Sequence, residues 1–220
     1  MEAAGGVFFA EVGEIHAGTF DPGPVNFKKD AHSRFDFRKG SVSHPAMSII
    51  TQRGDDGRTD LMFGRRIGKT SLRFIALGTI DELNASIGLA RASDAEGRHT
   101  EILDRVQNLL FSLMGQLACL PEDQEKYREK GYSAVTPEDL GWLTETAKRI
   151  EDAGVKFTHW AVPGAEGSMT RAHLDFARTV TRRAERYVLA LHEDGGAVPE
   201  IIRIFLNRLS DLMWILARRE

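Results

Sequence analysis

The amino-acid sequence predicts an all-α fold, a bundle of about five helices preceded by a glycine-rich loop. Apolar residues recur at three- and four-residue steps from Leu72 onward, which is typical of amphipathic helices. No strand pattern alternates with these helices and no internal repeat is present, which argues against an α/β sheet and against a solenoid. The 220 residues suffice for one domain with a substantial core.

The N-terminal part differs in character from the rest. Residues 1–46 carry glycine, charge and scattered phenylalanine without a sustained period. We expect them to be a disordered extension, or one added by a translation start placed too far upstream. The helical-bundle domain is expected over residues 47–220.

The order of elements follows from periodicity and from start and stop signals. The segment 48–70 is rich in Gly, Thr and Asp, and we expect a turn-rich loop that can direct backbone N–H groups at an anion. Helices are expected near residues 72–92, 99–120, 136–153, 169–193 and 198–218. The third opens with Thr136 as capping residue, Pro137 in the first turn and Asp139 at the positive end of the helix dipole.

Composition excludes several classes of protein. The net charge of −3 argues against general binding of nucleic acid or of a membrane surface. No apolar run approaches the roughly 20 residues of a membrane span. No basic residue precedes the apolar stretch Val7–Ala10, so we expect a cytoplasmic protein without a secretory signal. Cys119 is the only cysteine, and its apolar neighbours predict a buried, unreactive thiol.

Gly64–Thr70 is similar to a Walker phosphate loop. That motif needs four residues between its first glycine and its Gly-Lys pair, and here there are three. It also needs a preceding strand in an α/β sheet, which the sequence does not predict. We therefore reject the Walker interpretation.

Glu96–His99 matches the Glu-x-x-His spacing of di-iron bundles. Such sites need two copies on helices and two further glutamates, whereas this copy is single and contains Gly97. We expect a solvated loop here.

The fourth predicted helix carries a stripe of charge. Arg178, Arg182, Glu185 and Arg186 recur at three- and four-residue steps and so share one face. The neighbouring apolar stripe comprises Leu174, Ala177, Thr181, Ala184, Val188 and Leu191. Burying that stripe carries guanidinium groups to the edge of the core, where a polyanion or an internal carboxylate should meet them. A solvated face laced by i,i+4 ion pairs explains the stripe equally well.

Polar residues also occupy two other helices. Asn207 and Asp211 lie one turn apart, where they can contact a ligand or simply cap a buried arginine. Asp81 and Asn84 lie in mid-helix, although Asp and Asn are poor helix formers. Taken together with the glycine loop, these positions favour a binding site.

The motifs occur together in one known family. They are T-x-x-G-D-x-G-x-T at Thr51–Thr59, a lysine ten residues later at Lys69, G-T-x-D-E-L-N at Gly78–Asn84, A-R-T-V-x-R-R-A-E-R at Ala177–Arg186 and L-N-R-L-S-D at Leu206–Asp211. In this order the chain resembles the PduO-type ATP:cob(I)alamin adenosyltransferases over about residues 48–218.

The resemblance implies a five-helix bundle that forms a homotrimer with active sites between subunits. It implies transfer of the 5′-deoxyadenosyl group of ATP to a Co(I) corrinoid, cob(I)alamin or cob(I)yrinic acid a,c-diamide, releasing triphosphate and forming adenosylcobalamin. ATP and the corrinoid are then substrates, and magnesium is held mainly through ATP, with no metal ligand assigned to the protein. The expected partners are a separate reductase and a cobalamin-dependent enzyme, with no nucleic acid and no membrane.

The resemblance also assigns residues to the site. The ATP side is expected to comprise Thr51, Gln52, Arg53, Gly54, Thr59, Asp60, Lys69, Arg182, Arg183, Glu185, Arg186 and Asn207. The catalytic residues are expected to be Arg178, Arg182 and Asp81, with Asp81 and Arg178 forming an inter-subunit salt bridge beside the corrin. Trp160 joins Asp81 and Arg178 on the cobalamin side, where it excludes the lower cobalt ligand.

Two departures from the family pattern keep other functions open. Gln52 stands where many members have Lys or Arg. The family's F-x-L-P turn is Trp160-Ala-Val-Pro163 here, and the stretch after it is about two residues longer. The alternative is an ATP- or cobalamin-binding delivery or regulatory module without catalysis, and a purely structural bundle is a third possibility.

Overall fold

The computed structural model describes residues 50–157 and 160–219. The expected N-terminal extension, residues 1–46, lies outside these ranges. Within them, no helix is long and apolar enough to cross a membrane.

A small β-hairpin precedes the helices. Strand β1 (Arg58–Asp60) pairs antiparallel with β2 (Arg66–Gly68), and a single 3-10 turn, Met62–Gly64, joins them. The predicted loop therefore contains two short strands that the sequence analysis did not predict. Because this sheet is antiparallel and two-stranded, it differs from the α/β sheet that precedes a Walker loop, which agrees with the rejection of that motif.

Six α-helices follow the hairpin. They are α1 (Leu72–Ser93), α2 (Thr100–Ala118), α3 (Gln124–Glu129), α4 (Pro137–Asp152), α5 (Met169–Glu193) and α6 (Glu200–Leu216). The five long helices confirm the prediction to within about two residues at each end. The short α3 was missed because six residues are too few to show a 3.6-residue period.

The long helices form one continuous packed series. Helix α1 packs between α2 and α5, α5 also packs on α6, and α6 packs on α4. Helices α1 and α5 run antiparallel, since the start of α1 meets the end of α5 and Ser93 meets Thr170. The predicted apolar stripe of α5 is buried along its whole length, as the sequence required.

A buried arginine fastens one end of this series. Arg73 donates from Nη1 to the carbonyl oxygen of Leu117 at 2.8 Å and from Nη2 to that of Gly196 at 2.6 Å. These bonds tie the start of α1 to the end of α2 and to the turn between α5 and α6. Burial without such acceptors would be costly for a guanidinium, so Arg73 is a structural residue.

Cys119 is buried as predicted, with 1% of its surface exposed. Burial raises the pKa of its thiol to about 11. The thiol is therefore protonated near neutral pH and unreactive as a nucleophile.

The expectation of a solvated loop at Glu96–His99 is wrong for His99. Glu96 is exposed, but His99 is only 4% exposed and directly precedes α2. The cause is Asp94, whose carboxylate accepts hydrogen bonds from the His99 backbone N–H at 2.7 Å and from Thr100 Oγ1 at 3.1 Å. This turn folds His99 inward.

The start of α4 offers a test of the sequence-derived capping motif. Thr136 Oγ1 accepts a hydrogen bond from the Asp139 backbone N–H at 3.2 Å, and the Asp139 carboxylate accepts one from the Thr136 N–H at 3.1 Å. Thr136→Ala should lower the free energy of unfolding by about 1 kcal/mol. Thr136→Ser keeps the hydroxyl and should remain within about 0.5 kcal/mol of the parent chain. Urea unfolding at one fixed protein concentration measures both, and equal losses in the two variants would contradict a capping role.

Candidate functional site

The loop that precedes strand β1 is held by a charge pair. Arg53 donates from Nε and Nη2 to the two carboxylate oxygens of Asp60, each at 3.1 Å. Asp60 is buried, and Arg66 Nη2 donates to the Arg53 carbonyl at 2.8 Å. The structure thus pairs Arg53 and Asp60 with each other, and within one chain their charges serve to position the loop.

Lys69 closes the same loop. Its Nζ donates to the Gly54 carbonyl at 2.6 Å, and its backbone N–H donates to the Gly57 carbonyl at 2.9 Å. A Cβ at position 54 would lie 2.8 Å from Lys69 Nζ, so a larger residue there would displace the lysine ammonium from this contact. An ammonium group has three donors, and this contact uses one of them. The exposed Lys69 can therefore still meet an anion.

The remaining predicted loop residues lie around this closure. Thr51 and Thr59 are half-buried, and Gln52 is exposed. Gln52 has a φ of 58°, in the left-handed region that costs a non-glycine residue about 1–2 kcal/mol. The Asp55 N–H donates to the Gln52 carbonyl at 3.3 Å, which closes a tight turn ahead of the glycines.

The arginines of α5 divide into two groups. Arg183 forms an ion pair with Glu82 of α1. For this arginine the partner is therefore a carboxylate of the same chain, one of the two partners that the sequence analysis allowed. Arg182 and Arg186 are exposed and make no ion pair or hydrogen bond with any residue in the described ranges. These two arginines thus lie on a solvated face, as the alternative expects, but without the i,i+4 ion pairs that it included.

Residues of α6 complete a polar cluster beside Arg182. Asn207 Nδ2 donates to Glu185 Oε1 at 3.0 Å. Burial raises the pKa of Asp211, while the nearby Arg182 lowers it and Glu185 raises it further. Asn207 and Asp211 therefore do not cap a buried arginine, since Arg182 is exposed. We call Arg182, Glu185, Asn207 and Asp211 the α5–α6 cluster.

Arg178 lies one turn before this cluster. Its Nε donates to Asp175 Oδ1 at 3.3 Å, and Arg218 Nη1 donates to the same oxygen at 2.8 Å. The predicted partner Asp81 lies on α1 and pairs with no cation in the described part of the chain. Its partial burial raises the pKa of Asp81. Within one chain, Arg178 thus pairs with Asp175, a mid-helix acid that the sequence analysis did not single out.

Trp160 lies on an exposed aromatic surface. It is 88% exposed and meets the Phe157 ring edge-on, with ring centroids 5.9 Å apart. Phe157 in turn contacts Trp214 of α6 at 5.8 Å, and Arg218 lies over the Trp214 ring. We call Phe157, Trp160 and Trp214 the aromatic surface. The sequence pointed only to Trp160, because the contact with Trp214 joins segments that are distant along the chain.

The hairpin loop and the α5–α6 cluster are separate within one chain. Arg183 pairs with Glu82, ten residues after the first residue of α1 and so about 15 Å along its axis. Lys69 precedes α1, and its hydrogen bonds with described residues all lie within the loop. Among the described residues no hydrogen bond or ion pair joins Lys69 to the α5–α6 cluster inside a single chain.

Comparison with known proteins finds relatives that are named cobalamin or corrinoid adenosyltransferases. The family model described as cobalamin adenosyltransferase matches residues 49–220. The cobalamin adenosyltransferase of Cupriavidus metallidurans is 36% identical over 171 residues, covering 77% of this chain and 86% of the relative. The corrinoid adenosyltransferase of Bacillus subtilis is 37% identical over 177 residues, covering 78% and 86%.

Longer relatives also match. The corrinoid adenosyltransferase PduO of Salmonella typhimurium is 33% identical over 177 residues, which cover 79% of this chain and 50% of the relative. The chain thus spans about half the length of that protein and of the PduO protein from Citrobacter freundii.

Solved structures agree with the fold. A variant of the PduO-type ATP:corrinoid adenosyltransferase from Lactobacillus reuteri, in complex with cobalamin and ATP, superposes with a TM-score of 0.70 at 28% identity. The match covers 78% of this chain and 92% of that one. A second variant of the same enzyme, in complex with ATP, gives a TM-score of 0.67 at 27% identity over 77% and 92%. On the family match and the identity to these relatives, the chain belongs to the cobalamin adenosyltransferase family.

Proposed function

We propose that this chain transfers the 5′-deoxyadenosyl group of ATP to the cobalt of a Co(I) corrinoid. The cobalt–carbon bond forms as the C5′–oxygen bond to the triphosphate breaks, so triphosphate leaves with the electron pair of that bond. The observation that carries the proposal is the pair Arg182 and Arg186, exposed guanidiniums without a partner in the described chain. They belong to a chain whose relatives are named corrinoid adenosyltransferases.

The residues present fit this chemistry. Because the reduced cobalt of the substrate is itself the nucleophile, the protein needs no activated serine or cysteine. Cys119, with its thiol pKa raised to about 11, is no candidate for one. What the protein must supply is the orientation of two large substrates and neutralisation of the departing triphosphate.

Each cation has a distinct part in holding the phosphates. Arg182 and Arg186 present guanidinium forks, which match phosphate oxygens with two parallel hydrogen bonds. Lys69 adds a point charge at the glycine loop, whose backbone N–H groups donate to the same anion. Arg183 is fixed by Glu82 and sets the orientation of this face of α5.

Magnesium would be held mainly through the phosphates of ATP and water. Among the described residues no group of three or more His, Cys, Asp or Glu side chains is placed to hold a metal ion. Bound magnesium would supply charge neutralisation along the phosphate chain.

The site requires more than one copy of the chain, and we propose a homotrimer with the site between subunits. The separation of Lys69 from the α5–α6 cluster supports this. The outer face of α1 and α5 supports it as well, since it exposes Leu89, Phe176 and Tyr187 beside the small residues Gly78 and Ala85. Small residues allow close approach of another surface, and Asp81 on the same face has no cation of its own. Asp81 of one copy would then pair with Arg178 of another.

The aromatic surface suits the corrinoid. Trp160 is the most exposed of its three rings and can cover the lower face of the corrin macrocycle. Excluding the lower cobalt ligand in this way makes Co(II) easier to reduce to Co(I). We propose that a separate reductase delivers that electron, since the chain carries no redox motif, and that a cobalamin-dependent enzyme receives the product.

Replacing either free arginine should slow the reaction. Arg182→Ala or Arg186→Ala should lower turnover roughly 10- to 1,000-fold, the range for losing a charge-assisted contact to a developing anion. Turnover is followed by absorbance as chemically reduced cobalamin becomes adenosylcobalamin in the presence of Mg-ATP. Arg128→Ala is the matched control, because Arg128 is equally exposed but lies on α3. Unchanged turnover in both test variants would contradict the assignment, and ATP binding without turnover in the parent chain would favour the delivery module.

Trp160 should control the coordination of Co(II). Trp160→Ala should reduce the fraction of four-coordinate Co(II) corrinoid formed with ATP, measured by magnetic circular dichroism. Trp160→Phe keeps an aromatic ring and should retain most of that signal. Spectra identical to the parent chain in both variants would remove Trp160 from the corrinoid side.

The assembly can be tested apart from the chemistry. Sedimentation equilibrium should give three times the 24.5 kDa mass of one chain. Ala85→Arg adds charge to the exposed face of α1 and should shift the protein toward monomer, with turnover lost in parallel. Asn108→Arg adds the same charge to an exposed position of α2 and should leave both properties unchanged. A monomeric parent chain with full turnover would refute the shared site.

A further inference from the structure

A cavity lined by three arginines lies at the other end of the bundle from the hairpin. Its volume is about 210 Å³, and its lining includes Ser93, Asp94, Glu96, Arg98, His99, Arg171 and Arg219, so acids offset part of the arginine charge. Ser93 is 21 residues after the first residue of α1, hence about 30 Å along the helix from the hairpin end. The proposed adenosyl transfer uses none of these residues.

Two helices direct their N-termini at this cavity. Helix α2 begins at Thr100 and α5 at Met169, and residues from both starts line the walls. The N-terminus of an α-helix carries a partial positive charge and unpaired N–H groups. Asp94 already occupies part of the α2 end, where it accepts from the His99 N–H at 2.7 Å and the Arg98 N–H at 3.2 Å.

Three arginines add full charges. Arg219 Nη1 donates to the Arg98 carbonyl at 3.3 Å, so its guanidinium is held against the loop that precedes α2. Arg171 donates from Nε to the Ala217 carbonyl at 2.6 Å and pairs with Glu166. Arg98 pairs with Glu96. Each of these contacts leaves donors of the five-donor guanidinium group unused.

His99 is the observation that separates this cavity from an ordinary charged surface. Its side chain is nine-tenths or more buried, at 4% exposure, yet the ring makes no hydrogen bond with any described residue, and its Nδ1 is buried without a partner. Burial lowers the pKa of His99; Asp94 acts in the opposite direction, while Arg219, Arg98 and Arg171 lower it further. A buried ring nitrogen without a partner is costly. His99 lines the cavity, and a turn of its ring on binding would bring this nitrogen to a ligand there.

We infer that this cavity binds a phosphate-class tetrahedral oxyanion, held by Arg98, Arg171 and Arg219 with the ring of His99 as a further donor. The volume favours a compact ion, since a water molecule takes about 30 Å³ of liquid and the cavity is about seven times larger. Helices α1 and α6 end at this cavity, and α2 and α5 begin there. The bound ion would therefore hold the ends of four helices together.

The direct test is a titration of the full chain with inorganic phosphate against chloride at matched ionic strength. Histidine side-chain NMR is the readout, and the His99 signal is identified as the one missing from His99→Gln. Phosphate should move this signal in a saturable way, and Arg219→Gln should weaken the apparent affinity at least about tenfold. Arg98→Gln, in the exposed loop before α2, should act in the same direction without disturbing helix packing.

One further variant and one further probe distinguish this site from the proposed nucleotide site. Arg182→Gln should retain the phosphate-dependent shift of His99, since Arg182 lies eleven residues beyond Arg171 on α5, about 16 Å away along the axis. Tripolyphosphate as a second probe identifies a phosphate chain as the ligand if it binds more tightly than phosphate, and the single ion if it does not. A His99 signal that ignores both probes, or that shifts with the parent chain's affinity in both Arg219→Gln and Arg98→Gln, would overturn the inference. Adenosyl transfer is not needed for any of these readouts, so failure of the proposed function would leave this test intact.

Discussion

The antiparallel contact between α1 and α5 determines where the arginines of the proposed site lie. Its α5 side is built from small and β-branched residues, including Ala177, Thr181 and Ala184, all fully buried. Thr181 satisfies its hydroxyl on the Ala177 carbonyl at 2.8 Å, so it enters the core without an unpaired polar group. Once this stripe faces α1, the helical period fixes the direction in which the neighbouring side chains of α5 point. Arg183 must meet Glu82, and Arg182 and Arg186 must face outward.

The hairpin is held by a different balance of forces. At the turn that joins its strands, Leu61 and Met62 are buried in the core, and Arg65 binds both carboxylate oxygens of Asp123, with Nε to Oδ2 at 2.7 Å. At its open end the loop before β1 is held by backbone turns and by the ion pairs Arg53–Asp60 and Arg66–Asp56, and ion pairs near the surface contribute about 0–1 kcal/mol each. The buried turn therefore fixes where the hairpin stands, while the loop at its open end has little stability of its own. This is the region expected to gain most order from a bound anion.

The sequence predicted the parts of this molecule that depend on local periodicity. The five long helices, the capping residues of α4 and the buried face of α5 all follow from the spacing of apolar and capping residues. The parts it missed depend on contacts between distant segments. Nothing local distinguishes Arg73, whose acceptors lie 44 and 123 residues away. The burial of His99 was missed because a glycine-containing loop suggested exposure, whereas the Asp94 turn reverses the chain. The site residues were proposed as a group only through the family motifs, and both their roles and their arrangement across copies of the chain remain predictions.

The two cationic regions differ in the shape of anion they can hold. Arg182 and Arg186 are one helical turn apart, about 6 Å along the axis, and both side chains are exposed along the surface of α5. Their forks can engage an extended chain of phosphates at two points along the helix. The acids Glu185 and Asp211 beside them cancel their charge by count, so net field alone would not attract a triphosphate to one chain. In the proposed site donor geometry would supply the selectivity, and Lys69 from another copy would supply the missing charge. At the far end the cavity is lined by residues at the starts of two helices, which suits the compact ion proposed there. The two proposals differ in anion shape because helix packing spreads the arginines along a surface in one place and gathers them around a cavity in the other.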